Sequence, residues 1–306
     1  MSYFNVTILG CGAATPSLRH MPSSQLICYR QHAALVDCGE GTQLQLRRFG
    51  ASFAKIDHIY LSHLHGDHFL GLPGLLSTMS LHQVEGSVTV HTFAEGAAVL
   101  TNLLDLVCRE RTFDLKFDII DPATPAEVYN DGHLRVRTVP LRHRVPCVGY
   151  VFEEINKLRH IKRDMVDFYG VPNYLLSQLK EGADLVLPDG RVIDNAVLTD
   201  APTPPASYAY CSDTAFFEGL AESVRGVDTI YHETTYGDAD AYKAGPRGHS
   251  TARQAGRLAR LAGARRLVMG HYSKVITDES ILAAEAAEEF DGIVIAGTEG
   301  LKLDLA

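Results

Sequence analysis

Ser62-His63-Leu64-His65-Gly66-Asp67-His68 is an H-x-H-x-D-H cluster, and its reading decides the fold. It follows Ile56-Asp57-His58-Ile59-Tyr60-Leu61, which reads as a short, largely buried strand. It precedes Gly71-Leu72-Pro73-Gly74-Leu75-Leu76, which starts or flanks a helix. Three imidazoles and a carboxylate are therefore predicted to crowd a tight turn at a strand end. These are the ligands that borderline cations such as Zn²⁺ favour. In such a turn His63 and His65 can face one ion while Asp67 and His68 face a second, and Gly66 lets the backbone bend between the pairs. A lone histidine reads as an ordinary core or surface residue. Four ligand-type side chains within six residues read as a metal site.

Two cations about 3.5–4 Å apart need more ligands than one turn supplies. Three later positions offer them, each where a strand is predicted to end: His143 after 133–139, Asp213 after 206–211 and His271 after 266–270. A carboxylate can bridge two cations, and one imidazole on each completes the pair. The expected set is His63, His65 and His143 on one ion, Asp67, His68 and His271 on the other, and Asp213 between them. Two Zn²⁺ per subunit are expected.

The remaining sequence bounds the architecture. A chain of 306 residues with 46% hydrophobic and 21% charged residues is ordinary for a soluble globular enzyme. No apolar run reaches the length of a membrane span, and residues 1–9 read as a first strand rather than a signal peptide. The protein is expected in the cytoplasm, away from membranes. Cys11, Cys28, Cys38, Cys108, Cys147 and Cys211 form no C-x-x-C pair and read as reduced core residues without metal or catalytic roles. A net charge of −9 argues against a general nucleic-acid binder, although a local basic patch can still hold RNA.

Gly10-Cys11-Gly12 resembles a dinucleotide loop, but Pro16 and its polar neighbours do not open a helix, so a tight turn beside the site is predicted. Hairpin strands are predicted at 24–29 and 33–37, further strands at 87–91, 115–120 and 148–153, and helices at 42–48 and 94–108. After a change of character at 154, strands follow at 227–231, 292–296 and 300–304, with helices at 215–224, 251–262 and 278–289. Thr251 and Gln254 form a capping box for the second of these helices, and Gly263 stops it. Strands mixed with helices in both halves predict a sheet-on-sheet core with helices outside. Residues 154–205 contain a basic run, Lys157, Arg159, Lys162 and Arg163, and the stiff connector Ala201-Pro202-Thr203-Pro204-Pro205. They read as an insertion projecting from a single domain spanning 1–306. An ordinary solvated helix pair is the competing reading.

The order H-x-H-x-D-H, His, Asp, His resembles the metallo-β-lactamase superfamily. Within it, Gly39-Glu40-Gly41-Thr42-Gln43, Ser212-Asp213-Thr214, His232-Glu233-Thr234-Thr235 and Gly248-His249-Ser250-Thr251-Ala252 resemble the ribonuclease Z family. The resemblance covers nearly the whole chain. It implies an α+β fold, an αββα sandwich of two mixed sheets packed face to face with helices outside and a projecting arm insertion. It also implies a zinc-dependent endoribonuclease that removes the 3′ trailer of precursor tRNA, a homodimer, and no action on DNA. Asp67 is then expected to orient or deprotonate the attacking water, and His249, partnered by Glu233, to protonate the leaving oxygen. The 154–205 segment falls where the family carries an RNA-gripping arm. Two departures stand out: the usual His-Glu-Ala-Thr reads His232-Glu233-Thr234-Thr235, and the arm's usual Gly-Pro pair is replaced by Gly170-Val171-Pro172. Competing readings are a small-molecule hydrolase of the same fold and a non-catalytic RNA-binding scaffold.

Overall fold

In a computed structural model, which describes residues 3–155 and 157–306, the chain forms two compact units. The larger runs to Asn130 and adds Arg135–Glu153 and Ala206–Ala306; the smaller comprises Asp131–Leu134 and Glu154–Pro205.

The larger unit is built on two mixed sheets of seven strands. In the first, the antiparallel strands Phe4–Gly10, Ser24–Tyr29 and His32–Val36 lead into the parallel run Ile56–Tyr60, Ser87–Thr92 and Asp114–Ile119, and Lys302–Asp304 closes the other edge. In the second, Ser207–Cys211, Thr229–Glu233, Arg266–Gly270 and Ile293–Ala296 run parallel, and Val148–Glu154 pairs antiparallel with Ser207–Cys211. Parallel neighbours need crossover connections, which is why helices cover the outer faces. Helices Thr42–Arg48, Leu72–Leu81 and Ala94–Val107 bury Leu46, Leu75, Leu76, Leu100 and Leu104 against Leu35, Ile59 and Val90. Helix Ala252–Ala262 buries Leu258 and Ala262 against Val151, Ala209 and Ile230. Its capping box and left-handed Gly263 stand as the sequence predicts.

Tyrosine dominates the layer between the sheets. Tyr60 packs against Tyr150 and Phe152 with ring centroids 5.1 and 5.3 Å apart. Each buried hydroxyl needs a partner. Tyr150 donates to the Leu61 carbonyl at 2.7 Å, and Tyr210 to Asp37 Oδ2 at 2.7 Å, so these contacts tie one sheet to the other beside the H-x-H-x-D-H loop.

Several boundaries differ from expectation. The strand expected at 227–231 is Thr229–Glu233, which puts His232 and Glu233 inside it, and the helix expected at 215–224 shrinks to Gly219–Ser223. The cluster is not a plain turn, because Gly66–Phe69 forms one helical turn. Strand Glu127–Asn130 and helix Ala241–Arg247 were not predicted; Gly245 and Pro246 break the helical pattern of the latter.

The smaller unit has its own apolar cluster, Val166, Val171, Leu179, Leu185 and Leu198, framed by two short two-stranded sheets. Among the described residues no helix is long and apolar enough to cross a membrane.

Candidate metal centre

The parallel strands place their carboxyl ends along one edge of the sandwich, and the candidate residues leave from those ends. The loop after Ile56–Tyr60 supplies His63, His65, Asp67 and His68. His143 follows Leu134–Pro140, Asp213 follows Ser207–Cys211, and His271 follows Arg266–Gly270. Tight glycine packing shapes the loop from below. A Cβ on Gly39 would collide with the Asp67 carbonyl oxygen, and one on Gly71 with the Gly39 carbonyl oxygen. Asp37 and His271 both adopt φ 57°, a left-handed conformation that costs a non-glycine residue of order 1–3 kcal/mol and persists where the surroundings enforce it.

The seven donors fall into two groups. His63 Nε2 lies 3.0 Å from His65 Nδ1, and His143 Nε2 lies 3.3 Å from the same atom. Asp213 Oδ2 is 3.7 Å from His63 Nε2 and 3.8 Å from His143 Nε2. In the second group His68 Nε2 and His271 Nε2 are 3.3 Å apart, and Asp67 Oδ2 lies 3.5 and 3.4 Å from them. Asp213 turns its other oxygen here, with Oδ1 3.5 Å from His68 Nε2 and 3.1 Å from His271 Nε2.

Proton placement tests whether these groups fit cations. His63 Nδ1 donates to Ser62 Oγ at 3.0 Å and His68 Nδ1 to Asp37 Oδ2 at 2.7 Å. His143 Nδ1 donates to the Gly248 carbonyl at 2.7 Å, and His271 Nδ1 to Thr235 Oγ1 at 2.9 Å. With protons on those Nδ1 atoms, the Nε2 atoms of these four rings face inward and can each offer a lone pair to a cation. Inner nitrogens 3.0–3.3 Å apart suit ligands of one cation, since tetrahedral zinc ligands at 2.0–2.1 Å stand about 3.3 Å apart. The residues fit divalent metal.

The electrostatics agree. Burial and the neighbouring imidazoles depress the pKa of His63, and burial leads the same shift at His65 and His143, which keeps these rings neutral. At His68 burial opposes charge, but Asp213, Asp37 and Asp67 outweigh it and raise the pKa to about 10; a proton there answers the carboxylate field that a cation would. With no cation bound, protons on the inner nitrogens of His271 and His68 take its place beside Asp67: burial opposes the carboxylate, but the hydrogen bond from His271 and the charges of His68 and His271 hold its pKa far below the usual range.

His249 lies at the rim, its Nδ1 2.9 Å from Glu233 Oε1 and 3.9 Å from Asp213 Oδ2. Burial disfavours its imidazolium, but Glu233 and Asp213 prevail and raise the pKa to about 9. Glu233 is fully buried; desolvation is overcome by the charge and hydrogen bond of His249, and its pKa falls to about 2. Thr214 N–H and the Thr235 hydroxyl also donate to it. A cavity of about 340 Å³ opens beside Asp67 and is lined by Ala14, His65 and Arg144 among others.

Sequence reasoning missed Asp37 and Thr235. Asp37 accepts from Ser62 N, Ser62 Oγ, His68 Nδ1 and Tyr210, which fixes the loop and one candidate ligand together. A buried aspartate between a strand and Gly39-Glu40-Gly41 was the available signal. The basic run lies in the smaller unit and is largely engaged there. Lys157 pairs with Glu154 at 2.9 Å, Arg159 Nε donates to Thr199 Oγ1 at 2.7 Å, Lys162 Nζ donates to the Ala196 carbonyl at 2.8 Å, and exposed Arg163 pairs with Asp167 at 3.1 Å.

An αββα sandwich with this donor set at one sheet edge defines a metal-dependent hydrolase of the metallo-β-lactamase fold. Comparison with known proteins narrows the class. A family model described as anti-Pycsar protein Apyc1 matches residues 4–155. The chain is 44% identical to ribonuclease Z of Parabacteroides distasonis over the full length of both chains, and 42% identical to that of Phocaeicola vulgatus over 100% of this chain and 98% of that one. Among solved structures it resembles human tRNase Z, short form, with a TM-score of 0.70 and 23% identity over 99% of each chain. The Bacillus subtilis metallo-β-lactamase fold protein YhfI gives a TM-score of 0.70 at 18% identity, also over 99% of each. The chain belongs to the ribonuclease Z family.

Proposed function

We propose that the protein is a zinc-dependent endoribonuclease that removes the 3′ trailer from precursor tRNA by water attack, leaving a tRNA 3′-hydroxyl and a trailer 5′-phosphate. One observation carries the reading: the two oxygens of Asp213 divide between a His63/His65/His143 group and an Asp67/His68/His271 group, with the His249–Glu233 pair beside them. Two zinc ions held by these groups would neutralise charge on the attacking and leaving oxygens and lower the pKa of the water.

The chain's own residues then do the positioning and proton work. Ala14 N–H holds Asp67 Oδ2 at 2.6 Å, which leaves Oδ1 to orient the water and take its proton. His249 Nδ1 is held by Glu233, so its Nε2 delivers the proton that the leaving 3′-oxygen needs. Arg144, on the wall of the cavity, is placed to meet a phosphate oxygen. Residues 154–205 serve as the RNA-binding arm of an otherwise single domain, with Arg163 the most exposed of Lys157, Arg159, Lys162 and Arg163. We assign the working form as a cytoplasmic homodimer that acts on precursor tRNA and not on DNA.

Single-turnover cleavage of a 3′-extended precursor tRNA tests the proposal, comparing zinc-loaded wild type with Asp67→Ala and mapping product ends. One cut near the acceptor end, leaving a 3′-hydroxyl and lost in the variant, is expected. A 2′,3′-cyclic phosphate, or turnover of a small phosphodiester with tRNA left intact, would overturn it.

A further inference from the structure

A second convergence of metal-type donors lies outside the catalytic set. Cys11 follows the first strand, His20 sits in the loop after it, and Glu299 sits in the turn between the last two strands. Their side chains meet. Cys11 Sγ is 3.4 Å from His20 Nδ1 and 3.6 Å from Glu299 Oε1, and His20 Nδ1 is 3.1 Å from Glu299 Oε2. Sulfur, nitrogen and oxygen ligands at ordinary zinc distances stand about 3.4–3.6 Å apart in a tetrahedron. We propose that Cys11, His20 and Glu299 form a structural site for one divalent cation of the zinc class, in addition to the catalytic centre.

The groups behind these donors are arranged as ligand supports. His20 Nε2 donates to Glu279 Oε1 at 3.0 Å, the carboxylate–histidine arrangement that turns the other ring nitrogen toward a metal. Glu279 is fixed in turn by Arg19, at 2.7 and 2.9 Å. Glu299 Oε1 accepts the Met21 N–H at 2.8 Å. The Gly297 carbonyl, 3.5 Å from Cys11 Sγ, or a water supplies the fourth position. A thiolate with an imidazole and a carboxylate selects zinc-like cations over magnesium or calcium. With no cation, burial and the charges of Glu299 and Glu279 keep the Cys11 thiol protonated, and a proton on His20 Nδ1 bridges to Glu299; binding releases both protons to solvent. A cavity of about 140 Å³ bordered by His20, Ser17 and Tyr272 is the entry path.

The site would act by pinning a loop. Between Cys11 and His20 lies Ala14, whose N–H holds catalytic Asp67. The cation therefore fixes the backbone that orients Asp67 without touching substrate.

Metal content and absorption decide the matter independently of activity. Wild type should carry one more equivalent of zinc per chain than Cys11→Ser or His20→Gln. Cobalt-substituted wild type should show a sulfur-to-cobalt charge-transfer band in the near ultraviolet, which an all-nitrogen and oxygen catalytic centre does not give, and both variants should lose it. Equal metal content in folded variants would overturn the site and leave a metal-free imidazolium clamp between Glu279 and Glu299. If the variants fail to fold, the wild-type spectrum decides: no band overturns the proposal.

Discussion

Strand Ile56–Tyr60 contributes His58 to one histidine cluster, shared with the next two strands of the sheet, and delivers another just past its end, and the two obey opposite hydrogen-bonding rules. Within the sheet, His91 Nδ1 donates to Asp118 Oδ2 at 2.8 Å, and His58 Nδ1 donates to His91 Nε2 at 2.9 Å. Donor follows acceptor along the chain, and Tyr60 stacks on His91 with centroids 4.2 Å apart. That cluster is complete without an ion. Five residues beyond His58, His63 opens a cluster whose outer nitrogens are committed to Ser62, Asp37, Gly248 and Thr235, so the inner nitrogens face one another and the carboxylates of Asp67 and Asp213. Histidine count does not make a metal site. The direction in which the second nitrogen is held does.

Removing the bridge should have the largest effect. Asp213→Ala withdraws the carboxylate shared by both groups, so zinc content by elemental analysis should fall by about two equivalents per chain and precursor cleavage should fall to background. His249→Ala should keep its zinc yet cleave about 10²–10⁴-fold more slowly. An acid works only while protonated, so kcat/KM should fall as pH rises through about 9, the raised pKa of His249. Glu233→Gln removes the leading charge that raises this pKa, and the fall should move toward neutral pH.

Asp37→Asn touches no substrate but loosens His68, and should weaken zinc affinity about 10–100-fold by competition with a chelator. His91→Gln sharpens the comparison from the other side, since zinc content and cleavage should stay unchanged. Its effect belongs to stability. Burial, reinforced by the His58 charge and outweighing the Asp118 hydrogen bond, lowers the folded pKa of His91 to about 4. A base held neutral in the fold stabilises it above its unfolded pKa, and that stability is lost as pH falls from about 6.5 toward 4. Melting temperatures at pH 7.5 and 5 should show a smaller acid loss in the variant than in wild type.

The same contrast explains how much was legible in the sequence. His63, His65, Asp67 and His68 stand together in one loop, and His143, Asp213 and His271 sit at strand ends, so ligand type and hydrophobic pattern were enough to gather them. The sheet-on-sheet core was legible because strand and helix periods alternate clearly in both halves. Asp37 and Thr235 were not legible, since they act through a hydrogen bond to another side chain and neither spacing nor composition marks that. His20 and Glu299 stand 279 residues apart and meet only in the fold. The basic run read as free charge, but Lys157, Arg159 and Lys162 spend theirs on Glu154, Thr199 and Ala196 within the smaller unit.

Anomalous scattering at the zinc edge from crystals of the zinc-loaded protein tests the two-ion arrangement directly. Two peaks are expected at this edge of the sandwich, one among His63, His65 and His143 and the other among Asp67, His68 and His271, with Asp213 reaching both. A single peak there, or two that leave Asp213 bound to neither, would contradict it.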